Sequence, residues 1–227
     1  MTVAGILKQA KISKKKVLTE FESKLLLADI GMPITVQELA STKEQCVAAA
    51  NRIGYPVVMK LMADDIVHKS DAGAVILNVK DQAAVEATFD KLMAIQSKSQ
   101  KQISVQEMAP KPITEIIIGL TTDPQFGPAL MFGIGGILVE IMKDVSFRIA
   151  PITDFDADEM IHEIKGFPLL DGYRGAPKAD LAAIKDLLLK VSQFAIDYPD
   201  VDQMDLNPVF VYEKGVKIVD ARIILRD

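Results

Sequence analysis

An α+β fold in two lobes is what this chain predicts. Helical segments and short alternating strands occur in both halves, and a polar stretch, Ser97-Lys98-Ser99-Gln100-Lys101, marks a change of lobe near residue 100. The length, 227 residues, suits one large domain or two small lobes, and an apolar fraction of 49% is enough for a sizeable core.

Thr19-Glu20-Phe21-Glu22 reads as a capping box that opens a helix, and Gly31 stops it. A short strand follows at 34–39. Thr42-Lys43-Glu44-Gln45 caps a second helix, which ends at Gly54. The apolar runs 56–61 and 74–79 read as strands on either side of a polar loop. Asp81 caps a third helix reaching about residue 98. In the second half, 103–108, 114–120 and 128–132 alternate like strands. A glycine loop leads to a further apolar run at 137–142. Residues 154–164 and 178–198 have helical spacing. The chain closes with a hairpin, 204–213 and 216–225, turning at Lys214-Gly215.

Composition excludes several classes. Net charge is −5, from 26 basic and 31 acidic side chains, so there is no nucleic-acid footprint. The basic cluster Lys8, Lys11, Lys14, Lys15 and Lys16 is local and reads as a solvated helix face. Cys46 is the single cysteine; it excludes an internal disulfide and fits a reducing cytoplasm. The N-terminal residues lack the apolar core of a signal peptide. The most lipid-like stretch, 126–139, is shorter than the ~20 residues of a membrane helix and carries four glycines and a proline. The expectation is a soluble cytoplasmic protein, with neither membrane nor nucleic acid as a partner.

The residues suited to chemistry form a few groups. His68 lies in the polar loop between the strands at 56–61 and 74–79, with Lys60, Lys69 and Gly73 nearby. Imidazole titrates near neutrality and can serve as base, nucleophile or phosphoryl carrier; a surface histidine on a hairpin-like loop is the plain alternative. Lys60 ends an apolar strand, where a buried ammonium needs an anion nearby. Asp205 and Asn207, two residues apart, share one strand face. With a two-residue turn at Lys214-Gly215, Asp220 falls opposite Val209 and diagonal to Asn207, roughly 7–8 Å away. Asn207 and Asp220 could converge on Mg²⁺ held jointly with phosphates, or be a strand start and an edge charge. Gly133, Gly135 and Gly136 would let backbone approach a ligand, but they do not form GxGxxG. Arg148 could bind phosphate or pair with Asp144. Glu107 and Glu115 sit on neighbouring strands. Tyr55, Phe126, Phe132 and Phe147 read as core, and His162 as an exposed helical residue.

Taken in order, these segments resemble an ATP-grasp domain. The resemblance is to the nucleotide-binding beta subunit of ADP-forming acyl-CoA synthetases such as acetate–CoA ligase (ADP-forming), and more loosely to the succinyl-CoA synthetase beta subunit. It spans about Thr19 to Leu225. Its carriers are Gly54-Tyr55-Pro56-Val57-Val58-Met59-Lys60, Val67-His68-Lys69-Ser70-Asp71-Ala72-Gly73, Asp123-Pro124-Gln125-Phe126-Gly127-Pro128, Phe132-Gly133-Ile134-Gly135-Gly136, Asp144-Val145-Ser146-Phe147-Arg148, Met204-Asp205-Leu206-Asn207-Pro208 and Val219-Asp220-Ala221-Arg222.

The resemblance implies a two-lobed ATP-grasp fold, with a smaller lobe at 21–101 and a larger one at 102–227 joined by 1–20. Nucleotide (ATP or ADP) would lie between two sheets. Lys60 would hold its phosphates, Glu107 would line the adenine hinge, and Glu115 would face the ribose. Gly73 and Arg148 complete the cofactor-binding set. Asn207 and Asp220 would hold Mg²⁺. His68 would be a phosphohistidine, relaying phosphate between the nucleotide and a histidine on a separate CoA-binding alpha subunit in an alpha2beta2 heterotetramer. No CoA-binding domain is visible in the sequence, so a complete ligase would need that second chain. Two alternatives use the same fold: an ATP-grasp carboxylate ligase acting on an amine, which has no use for His68, and a non-catalytic nucleotide-binding module.

Overall fold

The computed structural model describes residues 2–65, 73–136 and 143–226. The chain forms two compact units, Met1–Ile34 with Lys111–Asp227, and Thr35–Pro110. It opens with two helices of the larger unit, α1 (Val3–Ile12) and α2 (Glu20–Asp29). The capping box at Thr19 forms: its hydroxyl accepts from the Glu22 N–H, and the Glu22 carboxylate accepts from the Thr19 N–H. The expected lobe boundary at Phe21 moves to Thr35 for a packing reason. Leu26 and Leu27 of α2 are wholly buried in the larger unit's core.

The smaller unit contains β1 (Gln37–Ala40), α3 (Lys43–Ile53), β2 (Val57–Met62), β3 (Val75–Val79), α4 (Gln82–Met93) and β4 (Gln102–Glu107). Its antiparallel sheet has the order β1-β4-β2-β3. β4 lies between β1 and β2, so the expected boundary at Lys101 moves to Pro110. Val57, Met59 and Leu61 of β2, with Ile103 and Val105 of β4, pack on Cys46, Ala49 and Ala50 of α3 and Val85 and Leu92 of α4. Alternation puts Val58, Lys60, Ser104 and Gln106 on the far face. Cys46 is fully buried, and burial pushes its thiol up to about 12, so it is inert. The third helix ends at Met93, earlier than expected, because the Lys101 ammonium takes the carbonyls of Met93 and Ile95 at its C-terminal end.

The larger unit continues with β5 (Thr114–Asp123), β6 (Gly127–Ile134), β7 (Val145–Ile149), α5 (Asp154–Glu163), α6 (Leu181–Asp197), β8 (Val201–Val211), β9 (Val216–Ile218) and β10 (Ala221–Leu225). The sheet order is β10-β8-β5-β6-β7, all antiparallel, with β9 also paired to β8. Ile116, Ile118 and Leu120 of β5, Leu130 and Phe132 of β6, and Met204, Leu206 and Val209 of β8 form the core with Ile184, Leu187, Leu188 and Val191 of α6. The alternate residues, among them Glu115, Gly119, Met131, Phe147 and Asp205, lie on the far face. Phe147 is therefore 54% exposed and not core as expected, and Phe126, at the tip of the β5–β6 hairpin, is 67% exposed. The strand expected at 137–142 lies outside the described residues.

The terminal hairpin departs from expectation by its register. Val211 pairs with Val216, Val209 pairs with Ile218, and the Tyr212 N–H bonds the Gly215 carbonyl, so Glu213 and Lys214 occupy the tip. Asp180, the N-cap of α6, accepts from the Gly215 N–H at 2.8 Å and anchors this earlier turn, with Gly215 at φ +79°. The same register resumes beyond a break at Val219 and Asp220, with Ala221 opposite Leu206 and Arg222 opposite Asp205. Asp220 thus lies opposite Asn207, whose N–H bonds the Asp220 carbonyl at 3.3 Å, and not opposite Val209.

Gly133 is the more crowded of the two glycines in β6. A Cβ there would lie 2.8 Å from both the Asp144 carbonyl and Val145 Cγ1. Gly133→Ala should destabilise the fold by about 1–3 kcal/mol through overpacking. An unchanged urea midpoint with an unchanged slope would contradict this.

Candidate functional site

β8 is an apolar strand with polar residues inserted at one periodicity. Met204, Leu206 and Val209 are buried, while Asp205 and Asn207 reach solvent. Against β5, Leu206 pairs with Ile118 and Val209 with Ile116. Asn207 and Pro208 together therefore oppose Ile117, forming a bulge of the kind that re-aims side chains. Across to the terminal strand, Asp205 is opposite Arg222, and Asn207 is opposite Asp220. Opposed residues share a face, with Cβ atoms about 4.5–5.5 Å apart. The result is a two-by-two group of Asp205, Asn207, Asp220 and Arg222.

Asp205 reports on that grouping. Its side chain reaches solvent, yet enough protein surrounds it that burial raises its carboxyl pKa. The Asp220 carboxylate raises it further, and Arg222 opposes both. Sequence reasoning placed Asp205 on the face of Asn207 but left it out of the site; the two-residue spacing was the signal that could have included it.

Glu115 lies on the far face of β5, beside the glycine segment. The Gly135 N–H bonds its carbonyl at 2.8 Å, and a Cβ on Gly135 would lie 3.3 Å from the carbonyl carbons of Glu115 and Ile116. Gly136, at φ +69°, passes close to the Glu115 carboxylate. The glycines let this turn lie directly on β5.

Arg148 is not brought to this group. It shares the core face of β7 with Ser146, whose hydroxyl bonds the Met160 carbonyl of α5. Its guanidinium is 2.9 Å from Glu163 of α5. The alternative pairing with Asp144 does not form either, because the Asp144 carboxylate accepts from the N–H groups of Lys165 and Gly166 at 2.8 and 2.6 Å. Arg148 lies on the opposite side of the sheet from Asp205 and ties β7 to α5.

In the smaller unit, Lys60 lies within β2 and not at its end, opposite Ser104 of β4 and Val75 of β3, and is only 4% exposed. Gln106, also on this face, donates to the Ser104 hydroxyl at 3.0 Å. The Glu107 carboxylate accepts from the Val36 N–H at 3.1 Å, and the Glu107 N–H donates to the Val36 carbonyl at 2.9 Å, tying the end of β4 to the segment before β1. His68 lies outside the described residues, within 66–72. Asp65, just before that segment, is anchored. Asp65 accepts from the Ser97 hydroxyl and the Lys98 N–H at 2.6 and 2.7 Å, which pulls its pKa down to about 2. Gly73 takes φ +64°. His162 is on exposed helix, as expected, with Nδ1 2.8 Å from the Asp158 carbonyl.

Among the described residues, no group of three His, Cys, Asp or Glu side chains could hold a metal, and no helix is long and apolar enough to cross a membrane. A family model of the ATP-grasp domain matches residues 9–225. The beta subunit of ADP-forming acetate–CoA ligase II from Pyrococcus furiosus is 47% identical over 228 residues, covering 97% of each chain. The chain belongs to the ATP-grasp family, among the beta subunits of ADP-forming acyl-CoA synthetases. ADP-forming acetate–CoA ligase II of Archaeoglobus fulgidus is also 47% identical, over 92% of this ATP-grasp chain but only 30% of its own longer one. Among solved structures, a dinucleotide-forming acetyl-coenzyme A synthetase 1 from Ca. Korarchaeum cryptofilum aligns with a TM-score of 0.89 at 42% identity, covering 99% of this chain and 100% of that one. It was solved with coenzyme A and Mg-AMPPCP, its phosphohistidine segment pointing towards the nucleotide binding site. The ATP-grasp architecture and the nucleotide-binding role of the chain rest on these matches.

The raised pKa of Asp205 has a stability consequence with a defined sign. An acid whose folded pKa exceeds its unfolded value destabilises the fold once pH rises above the unfolded value of about 3.9. Asp205→Asn should therefore raise the urea midpoint at pH 7, and the gain should shrink as pH falls towards 4. A gain that is absent at pH 7, or that grows on acidification, would contradict the placement.

Proposed function

We propose that this chain is the nucleotide-binding half of an ADP-forming acyl-CoA synthetase. The reaction is acyl-CoA + ADP + phosphate ⇌ carboxylate + CoA + ATP. A separate CoA-binding alpha subunit would supply the acyl chemistry, in a cytoplasmic alpha2beta2 assembly. The match to a chain-length beta subunit and to a longer, single-chain ligase supports a division of the enzyme into two parts.

The observation that carries the reading is the direct opposition of Asn207 and Asp220 on the far face of the larger sheet, with Asp205 and Arg222 beside them. One amide and two carboxylates are too few for an all-protein metal cage, but they suit Mg²⁺ that arrives with phosphates and keeps several waters. Asn207 and Asp220 would hold it, with Asp205 adjacent. When bound, the cation supplies neutralisation of phosphate charge, and phosphoryl transfer is otherwise largely positioning. Lys60 would pair with nucleotide phosphate, a suitable counter-charge for a buried ammonium. Glu107 would line the adenine side and Glu115 the ribose side. Arg148 is left out of this set, because its guanidinium pairs with Glu163 of α5.

His68 would carry the phosphoryl group from the partner to ADP. The P–N bond on the imidazole breaks as a P–O bond forms to a terminal phosphate oxygen of ADP. The ring, protonated at its second nitrogen, leaves as neutral imidazole. The phosphohistidine segment of the Korarchaeum structure supports this reading.

His68→Ala should leave MgADP affinity within about twofold, because the ring is a carrier and not a nucleotide anchor. With the alpha subunit present it should abolish ATP formation and spare acyl phosphate formation. Labelled ATP should leave acid-labile, base-stable label on the native chain and none on His68→Ala. Native rates of ATP synthesis by His68→Ala would overturn the relay.

A further inference from the structure

Helix α2 does not bury an apolar stripe. Three of its five buried residues are polar: Glu20, Ser23 and Lys24. The Lys24 ammonium lies 3.7 Å from the Glu20 carboxylate one turn away, and the two side chains are 0% and 1% exposed. Removing both ions from water is costly, and apolar residues of similar volume are often as stable or more so. Stability alone therefore does not explain the pair, but a contact of its lysine does. Lys24 Nζ donates to the Val219 carbonyl at 3.2 Å.

Val219 and Asp220 are the two residues at which the strand path breaks between β9 and β10. From one side β8 holds them, through Val219 N–H to the Pro208 carbonyl at 3.0 Å and Asn207 N–H to the Asp220 carbonyl at 3.3 Å. From the other side Lys24 holds the Val219 carbonyl. That carbonyl belongs to the peptide unit that precedes the Asp220 Cα, so its orientation sets the direction in which the Asp220 side chain leaves the backbone. α2 is in turn fixed by its capping box and by Leu26 and Leu27 in the core.

We propose that Lys24, paired with Glu20, is a positioning residue that fixes the Val219–Asp220 peptide and so aims the Asp220 carboxylate at a nucleotide-bound divalent cation. The inference rests on the reading of Asp220 given above. It adds a residue distant in sequence, on a helix with no contact to nucleotide assigned to it.

The test uses the full chain and the double variant Glu20→Gln/Lys24→Met, which removes both charges together. Urea unfolding and calorimetric titration with ADP, without divalent metal and across a Mg²⁺ series, are the readouts. The midpoint should equal or exceed that of the native chain, and metal-free ADP affinity should change less than twofold. The Mg²⁺ concentration for half-maximal tightening should rise tenfold or more. Asp220→Asn, measured in parallel, should raise it at least as much. If Asp220→Asn raises the Mg²⁺ requirement and the double variant does not, the positioning role is overturned while the metal site stands. If Asp220→Asn leaves it unchanged, the metal site itself fails, and the positioning role with it. Should the double variant not fold, Lys24→Arg keeps the charge but moves the donor. A severalfold rise in Mg²⁺ requirement is then expected, and a native value would overturn the proposal.

Discussion

The larger unit depends on one strand satisfying two opposed demands. Among the described residues, β8 alone pairs with three others, β5, β9 and β10. Its core face must be apolar to seat α6, and Met204, Leu206 and Val209 meet that demand. Its far face carries Asp205 and Asn207, which an ordinary sheet strand would avoid. The period of two lets one strand do both. The bulge at Asn207 and Pro208 then lets the register against β5 slip while the register against β9 and β10 stays constant from Gln203 to Val211. That constant register is what brings Asp220 opposite Asn207.

Helix caps and strand alternation made most of the fold legible in the sequence. Thr19, Thr42 and Asp81 each cap the helix assigned to them. What the sequence did not show was set by contacts between distant residues. The hairpin tip moved because Asp180, thirty-five residues upstream, takes the Gly215 N–H. α2 changed lobe because its leucines fit the larger core, which local pattern cannot report. Phe147 read as core by residue type, yet β7 turns it to the far face. In each case a local rule was sound and a tertiary contact decided between its outcomes.

The candidate site was legible in pieces, for a similar reason. Asn207 and Asp220 were found because polar side chains within an otherwise apolar hairpin stand out. Arg148 was selected by charge, but alternation along β7 sends it to the core face, where Glu163 meets it. Lys24 and Glu20 gave no signal at all, because an acid and a lysine four apart on a helix usually mark a solvated surface. Only burial separates the two cases. The smaller unit has the same plan in miniature: an apolar face on α3 and α4, and Lys60, Ser104 and Gln106 on the other.

The central claim is that a phosphate-bound divalent cation sits on the far face of the larger sheet beside Asp205, Asn207 and Asp220. Paramagnetic broadening by Mn²⁺ with ADP tests it most directly, using methyl-labelled chain. Met131 lies two strands from Asp205 in the same cross-strand row, about 10 Å away at the usual strand spacing. Strong, ADP-dependent broadening of the Met131 methyl is expected, with little at Leu188 of α6, on the far side of the core. Broadening that is absent, or that falls equally on Leu188 and Met131, would contradict it.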